Sequence, residues 1–201
     1  MKLFNSPLSP YVRKVKVVAH EAGMLDEIEL IDESSTPTDP NDDVIAANPV
    51  GKIPVLETDD GQHIVDSRVI CRYLDEKAGL GLYPHGASQF PVLTREAIAE
   101  GMIDAALLAA YEARLRPEEI RYAPWVEGQL KKVMNGAKYF EYHIDAMGGH
   151  LTADKIALGC ALGYVDFRHP DLGWRDDCPA LTAWYNAFCE RQSMKDTTPS
   201  Q

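Results

Sequence analysis

Apolar positions change their period once along this chain. The first eighty residues mix short apolar runs with helical spacing, and beyond them helical spacing alone remains. A run at residues 2–4 predicts a strand. Val12, Val15, Val18, Ala19 and Ala22 then recur at steps of three, with Val18 and Ala19 adjacent, which puts them on one helix face, and residues 28–31 predict a second strand. The stretch that follows is rich in Pro, Thr and Asp and reads as a loop. After it, Ile53-Pro54-Val55-Leu56 and His63-Ile64-Val65 flank Asp60-Gly61, a tight-hairpin signal that makes these two runs an antiparallel pair. Asp66-Ser67 suits a helix N-terminus and places Val69, Ile70, Tyr73 and Leu74 on one face. The order of elements is βαβ-ββα.

From Ser88 onward strand signals disappear. Ala99, Met102, Ile103, Ala106, Leu107, Ala110 and Tyr111 share one helix face, which Pro117 ends or restarts. Val126, Leu130, Val133, Ala137, Phe140, Ile144 and Met147 then step by three and four, the spacing of a helix packed along a bundle, and Gly148-Gly149 stops it. Thr152 suits the cap of a helix carrying Ile156, Ala157, Cys160, Ala161 and Tyr164. A last helix presents Leu181, Trp184, Tyr185 and Phe188. The change of period falls in Gly79-Leu80-Gly81-Leu82-Tyr83-Pro84, dense in structure breakers, so two domains are expected, residues 1–84 and residues 85–201.

Composition narrows the function classes. With 45% hydrophobic and 25% charged residues over 201 positions, the chain has enough apolar material for a proper core. No stretch approaches the roughly 20 apolar residues of a membrane span, and the start MKLFNSPLSPYVRKVKV lacks the pattern of a signal peptide, so a cytoplasmic protein is expected. The formal net charge of −11, divided as −7 and −4 between the two domains, opposes binding to nucleic acid and to anionic membranes, but leaves room for a local positive site that takes a small anion. Cys71, Cys160, Cys178 and Cys189 show neither CxxC nor zinc-ligand spacing, so neither a disulfide framework nor a metal site is expected.

The ordered combination of motifs resembles the glutathione transferase superfamily over essentially the whole chain. KLFNSPLSPYVRKV is similar to that family's first strand and first helix, NPVGKIPVL to the entry of its third strand, DSRVICRYLDEK to its third helix, and LYP to its linker. The resemblance implies a thioredoxin-like βαβ-ββα domain followed by an all-helical domain. It further implies a homodimer that uses glutathione as co-substrate and has no metal.

Ser9-Pro10-Tyr11-Val12 stands where thiol-transfer members of the family carry Cys-Pro-[FY], at the N-terminus of the first helix. Unpaired N–H groups and the positive end of the helix dipole favour an anion there, so a bound thiol ionises more easily, and a serine hydroxyl adds a hydrogen bond to the sulfur. Cysteine would form a mixed disulfide with glutathione, whereas serine points to conjugation or thiolysis. A capping role alone also explains Ser before Pro. Ser6 is the second candidate, because other branches of the family carry their serine earlier relative to the arginine matched by Arg13. Ser9 ranks first.

Ile53-Pro54 matches the family's Val-Pro, where the proline is cis and the preceding backbone pairs with the cysteinyl part of glutathione. Asp66-Ser67 matches the acidic-Ser pair that holds the γ-glutamyl end, and Lys52 stands where it could meet the glycyl carboxylate. An exposed lysine is also explained as a solvated charge, an ambiguity that Arg13 and Arg68 share. Tyr11, Tyr111, Tyr164 and Trp174 are candidates for a second-substrate pocket, with core packing as the alternative. The family's usual Ser/Thr-x-x-Asp capping box is broken here by Lys155, three residues after Thr152, while Asp154 still complements the helix dipole. Three readings of function follow: glutathione transfer to an apolar electrophile; a glutathione-dependent dehalogenase, etherase or isomerase; and a non-catalytic binding protein that keeps the fold.

Overall fold

The computed structural model describes residues 1–199. It divides into two compact units: residues 1–84 together with the C-terminal segment from Gln192, and His85–Arg191. The described residues from Gln192 onward thus group by contact with the first unit, whereas the sequence placed them with the second.

In the first unit the apolar run near the N-terminus forms β1 (Lys2–Asn5), followed by α1 (Pro10–Glu21) and β2 (Glu29–Asp32). β3 (Val55–Glu57), β4 (His63–Val65) and α3 (Ser67–Ala78) complete the βαβ-ββα order, with the sheet arranged β2-β1-β3-β4. β1 and β2 are parallel, while β3 pairs antiparallel with both β1 and β4. The hairpin closes through Thr58, whose N–H reaches the Gln62 carbonyl at 2.9 Å and whose own carbonyl accepts the Gly61 N–H at 3.0 Å. Gly61 takes φ +81°, a conformation that costs a residue without Cβ little, so Asp59-Asp60-Gly61 is a three-residue loop.

The segment read as loop contains one further helix, α2 (Asp42–Ala47), capped by Asn41 through hydrogen bonds from Asp43 N–H and Val44 N–H at 2.9 and 3.1 Å. Ala22 is the C-cap of α1 and lies just outside its buried face. On α3 the expected apolar face is displaced: Ile70, Cys71 and Leu74 are buried, whereas Val69 is 54% exposed. Past α3, Asp75 holds the linker by accepting the Leu82 and Tyr83 N–H groups at 2.8 and 3.3 Å. Leu82 and Tyr83 are buried as a result.

The second unit is helical throughout the described residues: α4 (Gln89–Leu115), α5 (Ala123–His143), α6 (Ala153–Arg168), α7 (Trp174–Asp177) and α8 (Pro179–Phe188). α4 runs unbroken for 27 residues and stops before Pro117. It packs against both α5 and α6. Gly136 makes the approach to α5 possible, because a Cβ there would lie 2.5 Å from Met102 Cγ and 2.6 Å from its Sδ. α6 is buried on every side from Ala153 to Val165 and forms the centre of the unit.

The start of α6 is built differently from the expected cap. Thr152 occupies the N-cap position, yet its hydroxyl caps nothing and is buried without a partner among the described residues. Asp154, with no exposed surface, accepts Arg95 Nε at 2.5 Å. Lys155 reaches back to the carbonyls of Gly148, at 2.7 Å, and His150, so it satisfies a loop in place of the cap. Burial weakens its hold on its proton, against the opposing pull of Asp154.

The final helix, α9 (Gln192–Asp196), packs against α1 within the first unit. Arg13, 6% exposed, is the anchor: its Nη2 donates to the Met194 carbonyl at 3.1 Å and its Nε to Thr197 Oγ1 at 3.5 Å. His20 pairs with Asp196 at 3.0 Å beside it.

Candidate functional site

Strand register brings three loop segments of the first unit to one end of the sheet. Lys2 opposes Glu57 and Leu3 opposes Leu56, so the end of β1 at Asn5 lies beside the start of β3 at Pro54. Val55 opposes Val65, so β4 ends at that same level. The residues that follow β1 (Ser6 to Ser9), precede β3 (Lys52 to Pro54) and follow β4 (Asp66 and Ser67) therefore share this end. Those are the segments the sequence singled out.

The first segment is a turn running into a helix. Ser9 N–H donates to the Ser6 carbonyl at 3.0 Å, and Pro7 supplies the φ that the turn requires. Ser9 is the N-cap of α1: its Oγ accepts the Val12 N–H at 3.3 Å and its carbonyl the Arg13 N–H at 3.0 Å, with Pro10 at the first helical position. Capping and chemistry are compatible here. A hydroxyl has two acceptor lone pairs and one proton, so Ser9 accepts from its helix and still has an O–H to donate. Ser6 and Ser9 are both half-buried. Arg13, ambiguous in the sequence between a ligand contact and a solvated charge, bonds the C-terminal segment.

The second segment is organised by Asn48, a residue the sequence reading passed over although Asn48-Pro49 is a turn signal. Its side chain, 5% exposed, donates to the Lys52 carbonyl at 2.8 Å and accepts the Val50 N–H at 3.1 Å, and its carbonyl accepts the Gly51 N–H at 2.7 Å. Gly51 has φ +66° and passes so close to Ile45 that a Cβ would stand 3.3 Å from Ile45 Cγ1. The Ile53-Pro54 bond is cis. Ile53 packs its side chain against Phe4, Val44, Ala47 and Val55, while Lys52 is exposed.

The third segment carries charge. Asp66 adopts φ +69°, the one non-glycine residue with positive φ among those described, and caps α3 by accepting the Arg68 N–H at 2.9 Å. Arg68 grips both its oxygens, each at 3.1 Å. Hydrogen bonding to the Arg68 side chain holds the Asp66 carboxyl below its usual range, against partial burial, with help from the Arg68 N–H and the charge of Lys14. Asp66 is thus ionised at neutral pH and already engaged on one side. Ser67 is buried, and as the first residue of α3 its N–H has no place in the helix's own ladder.

The four aromatic candidates divide between the units. Tyr11 lies in the first turn of α1 in the first unit, and Tyr111, Tyr164 and Trp174 belong to the second. Trp174 is 2% exposed, donates its indole N–H to Asp166 at 2.9 Å and stacks edge-on against Tyr185, so it is a packing residue. Tyr164 is also buried, and burial raises its phenol pKa, against the opposing influence of Arg168. Tyr111 on α4 is half-buried and interacts with it. All four cysteines are free, three of them buried. Among the described residues no cluster of His, Cys, Asp or Glu is arranged to hold a metal ion, and no helix is long and apolar enough to cross a membrane.

A thioredoxin-like unit with serine at the first helix end, followed along the chain by a helical unit, defines a class, and comparison with known proteins agrees with it. The family descriptions "Glutathione S-transferase, N-terminal domain" and "Glutathione S-transferase, C-terminal domain" match residues 8–77 and 123–187. An uncharacterized GST-like protein of Escherichia coli is 32% identical over 99% of this chain and 98% of its own. A glutathione transferase family member of Pseudomonas fluorescens, solved with bound glutathione, is 42% identical with a TM-score of 0.96, covering 100% of this chain and 99% of that one. Its structure with bound S-(propanoic acid)-glutathione gives 42% and 0.91, with full coverage of both chains. The chain belongs to the glutathione S-transferase superfamily.

Proposed function

We propose that this protein is a glutathione transferase that ionises the thiol of reduced glutathione beside Ser9 and directs it at an apolar electrophile. The observation that carries the reading is the end of α1, where a serine caps the helix and retains its own proton. Glutathione bound in a relative similar over the full length supports the ligand. Lys52, Ile53, Pro54, Asp66 and Ser67 complete the site in this reading. The Ile53 backbone meets the cysteinyl part in the manner of an added strand, and the N-terminus of α3 receives the γ-glutamyl carboxylate. The fork of Arg68 on Asp66 leaves that carboxylate able to take an ammonium on its other side. Ser6, one turn earlier, is the alternative thiolate donor, and Tyr11 in the first unit and Tyr111 and Tyr164 in the second remain separate candidates for contact with the electrophile. The reading extends to a cytoplasmic homodimer.

Charge stabilisation sets the expected size of the effect. A helix N-terminus contributes about 0.3–2 kcal/mol to an anion, and a hydrogen bond to a charged group about 1.5–3 kcal/mol. Together, about 2–5 kcal/mol brings a thiol from about 8.5 to roughly 5–7. Attack then needs only a bound electrophile held in line, with the protein supplying proximity.

The test is calorimetric titration with reduced glutathione, combined with thiolate absorbance between pH 5 and 9. Wild type should bind saturably with a lowered thiol pKa, and Ser9→Ala should return that pKa by one unit or more toward its free value. Binding without ionisation would support the non-catalytic reading, and no binding at all would overturn the site. Ser9→Cys, incubated with oxidised glutathione, should form a mixed disulfide by thiol–disulfide exchange and release one equivalent of reduced glutathione if the geometry is as described.

A further inference from the structure

We infer that Arg13 is a positioning residue for the glutathione thiolate and acts through its charge: held by the C-terminal segment, it presents a buried, uncompensated guanidinium to the helix end where Ser9 stands. This role depends on the thiolate site proposed at Ser9. It adds to that site a group that touches no atom of the substrate.

Arg13 is 6% exposed, and its N–H donates to the Ser9 carbonyl at 3.0 Å, so the two residues bound one turn of α1. Both acceptors of its side chain are neutral. Nη2 donates to the Met194 carbonyl at 3.1 Å and Nε to Thr197 Oγ1 at 3.5 Å, while that hydroxyl gives its own proton to the Ser193 carbonyl at 2.7 Å. The acids packed beside this contact are engaged elsewhere. Asp196 meets His20 at 3.0 Å and Gln192 at 2.7 Å, and Glu21 accepts the Ser193 hydroxyl. Among the described residues no carboxylate pairs with Arg13.

A guanidinium taken out of water ordinarily takes a carboxylate with it, because neutral acceptors return only part of the lost hydration. With neutral acceptors alone, its charge is not cancelled locally and acts on any anion nearby. A helical side chain covers the turn N-terminal to its own Cα, and here that turn opens at Ser9. Four residues of helix rise about 6 Å, which puts the guanidinium and a sulfur bound at Ser9 on the order of 10 Å apart. At an effective dielectric constant of about 20, one uncompensated charge at that distance favours the thiolate about ten-fold. The other charges at this end of the unit are Lys52, the Asp66–Arg68 pair, and buried Lys14, whose charge acts on Asp66. None of them is altered in the variants below.

Thiolate absorbance of bound glutathione is followed between pH 5 and 9 in wild type and variants. The same proteins are titrated by calorimetry with S-methylglutathione, whose sulfur cannot ionise. Arg13→Gln should raise the thiol pKa by about one and change S-methylglutathione affinity by less than about two-fold, whereas Arg13→Lys, which keeps the charge, should stay nearer wild type. Thr197→Asp leaves Arg13 in place and gives it a carboxylate, so it should raise the thiol pKa in the same direction; its neutral isostere Thr197→Asn should not. If Arg13→Gln proves unfolded by its melting temperature, the Thr197 pair decides alone. A wild-type thiol pKa in Arg13→Gln or in Thr197→Asp overturns the inference, as does a rise matched by an equal loss of S-methylglutathione affinity, which would mark a purely structural role. Wild type that binds glutathione with a lowered thiol pKa keeps the Ser9 reading standing whichever way the variants fall. Absence of glutathione binding in wild type overturns both.

Discussion

Removing the carboxylate of Asp154 should cost more stability than any exposed change, and the partner arginine should be the reason. Asp154 has no exposed surface, stands at the second position of α6, and accepts Arg95 Nε at 2.5 Å, while its Oδ1 is buried without a partner among the described residues. Arg95 is itself only 14% exposed. Asp154→Leu leaves a buried guanidinium unpaired, and Arg95→Met leaves a fully buried carboxylate unpaired. Each breaks a buried ion pair from one side, at a cost of about 3–5 kcal/mol. The double variant Arg95→Met/Asp154→Leu removes both charges. What it still loses is the acidic group at the α6 N-terminus, about 0.3–2 kcal/mol. The two changes should therefore be strongly non-additive, with a coupling energy above about 2 kcal/mol. Urea denaturation of all four proteins measures this directly, and each single variant should melt roughly 6–20 °C lower. A double variant as unstable as the sum of the singles would refute the reasoning. The carboxylate would then matter through something other than Arg95.

Two further outcomes are expected. Gly136→Ala places a methyl group about 2.5 Å from Met102 Cγ. It should destabilise by about 1–3 kcal/mol of overpacking, less about 1 kcal/mol of gained helix propensity, and adding Met102→Ala should relieve the overlap, as read from urea midpoints. For Asp66, the folded carboxyl is held below its unfolded value near 3.8, so the protein binds fewer protons folded than unfolded in that range. Its contribution is present above about pH 4 and fades as pH falls through the lower folded value. Asp66→Asn should therefore flatten the loss of stability between pH 5 and pH 2.5, and an unchanged slope would contradict the pairing with Arg68.

What was legible in the sequence was whatever local chemistry determines. The strands, the hairpin at Asp60-Gly61 and the cap at Ser9 follow from residues that are neighbours in the chain. So does the change to pure helix after Ser88. α2 was missed because its six residues carry too little apolar periodicity to register, although Asn41 with Asp42 and Asp43 is a helix-start signal. Val69 was misplaced because one helical face and its neighbour differ by a single step, and what packs on α3 decides between them. On α6 the sequence marked one face, Ile156, Ala157, Cys160, Ala161 and Tyr164, but not that the other faces are buried too, since what packs on them comes from distant segments. The candidate site was legible as three separate segments, but their meeting at one end of the sheet is a property of register. Arg13 was ambiguous for a related reason: its partners lie about 180 positions further on, at Met194 and Thr197.

That distance gives the first unit an unusual history. Its sheet, its candidate glutathione-binding loops and all but the last helix are encoded in the first 84 residues, yet α9 and the acceptors for Arg13 are encoded after the whole helical unit. On the ribosome, a buried arginine must wait for more than a hundred residues to be added before its hydrogen bonds can be made. The unit nearest the start of the chain is thus among the last to be finished, and a chain cut short before Gln192 would carry every residue assigned to glutathione on a scaffold that was never closed.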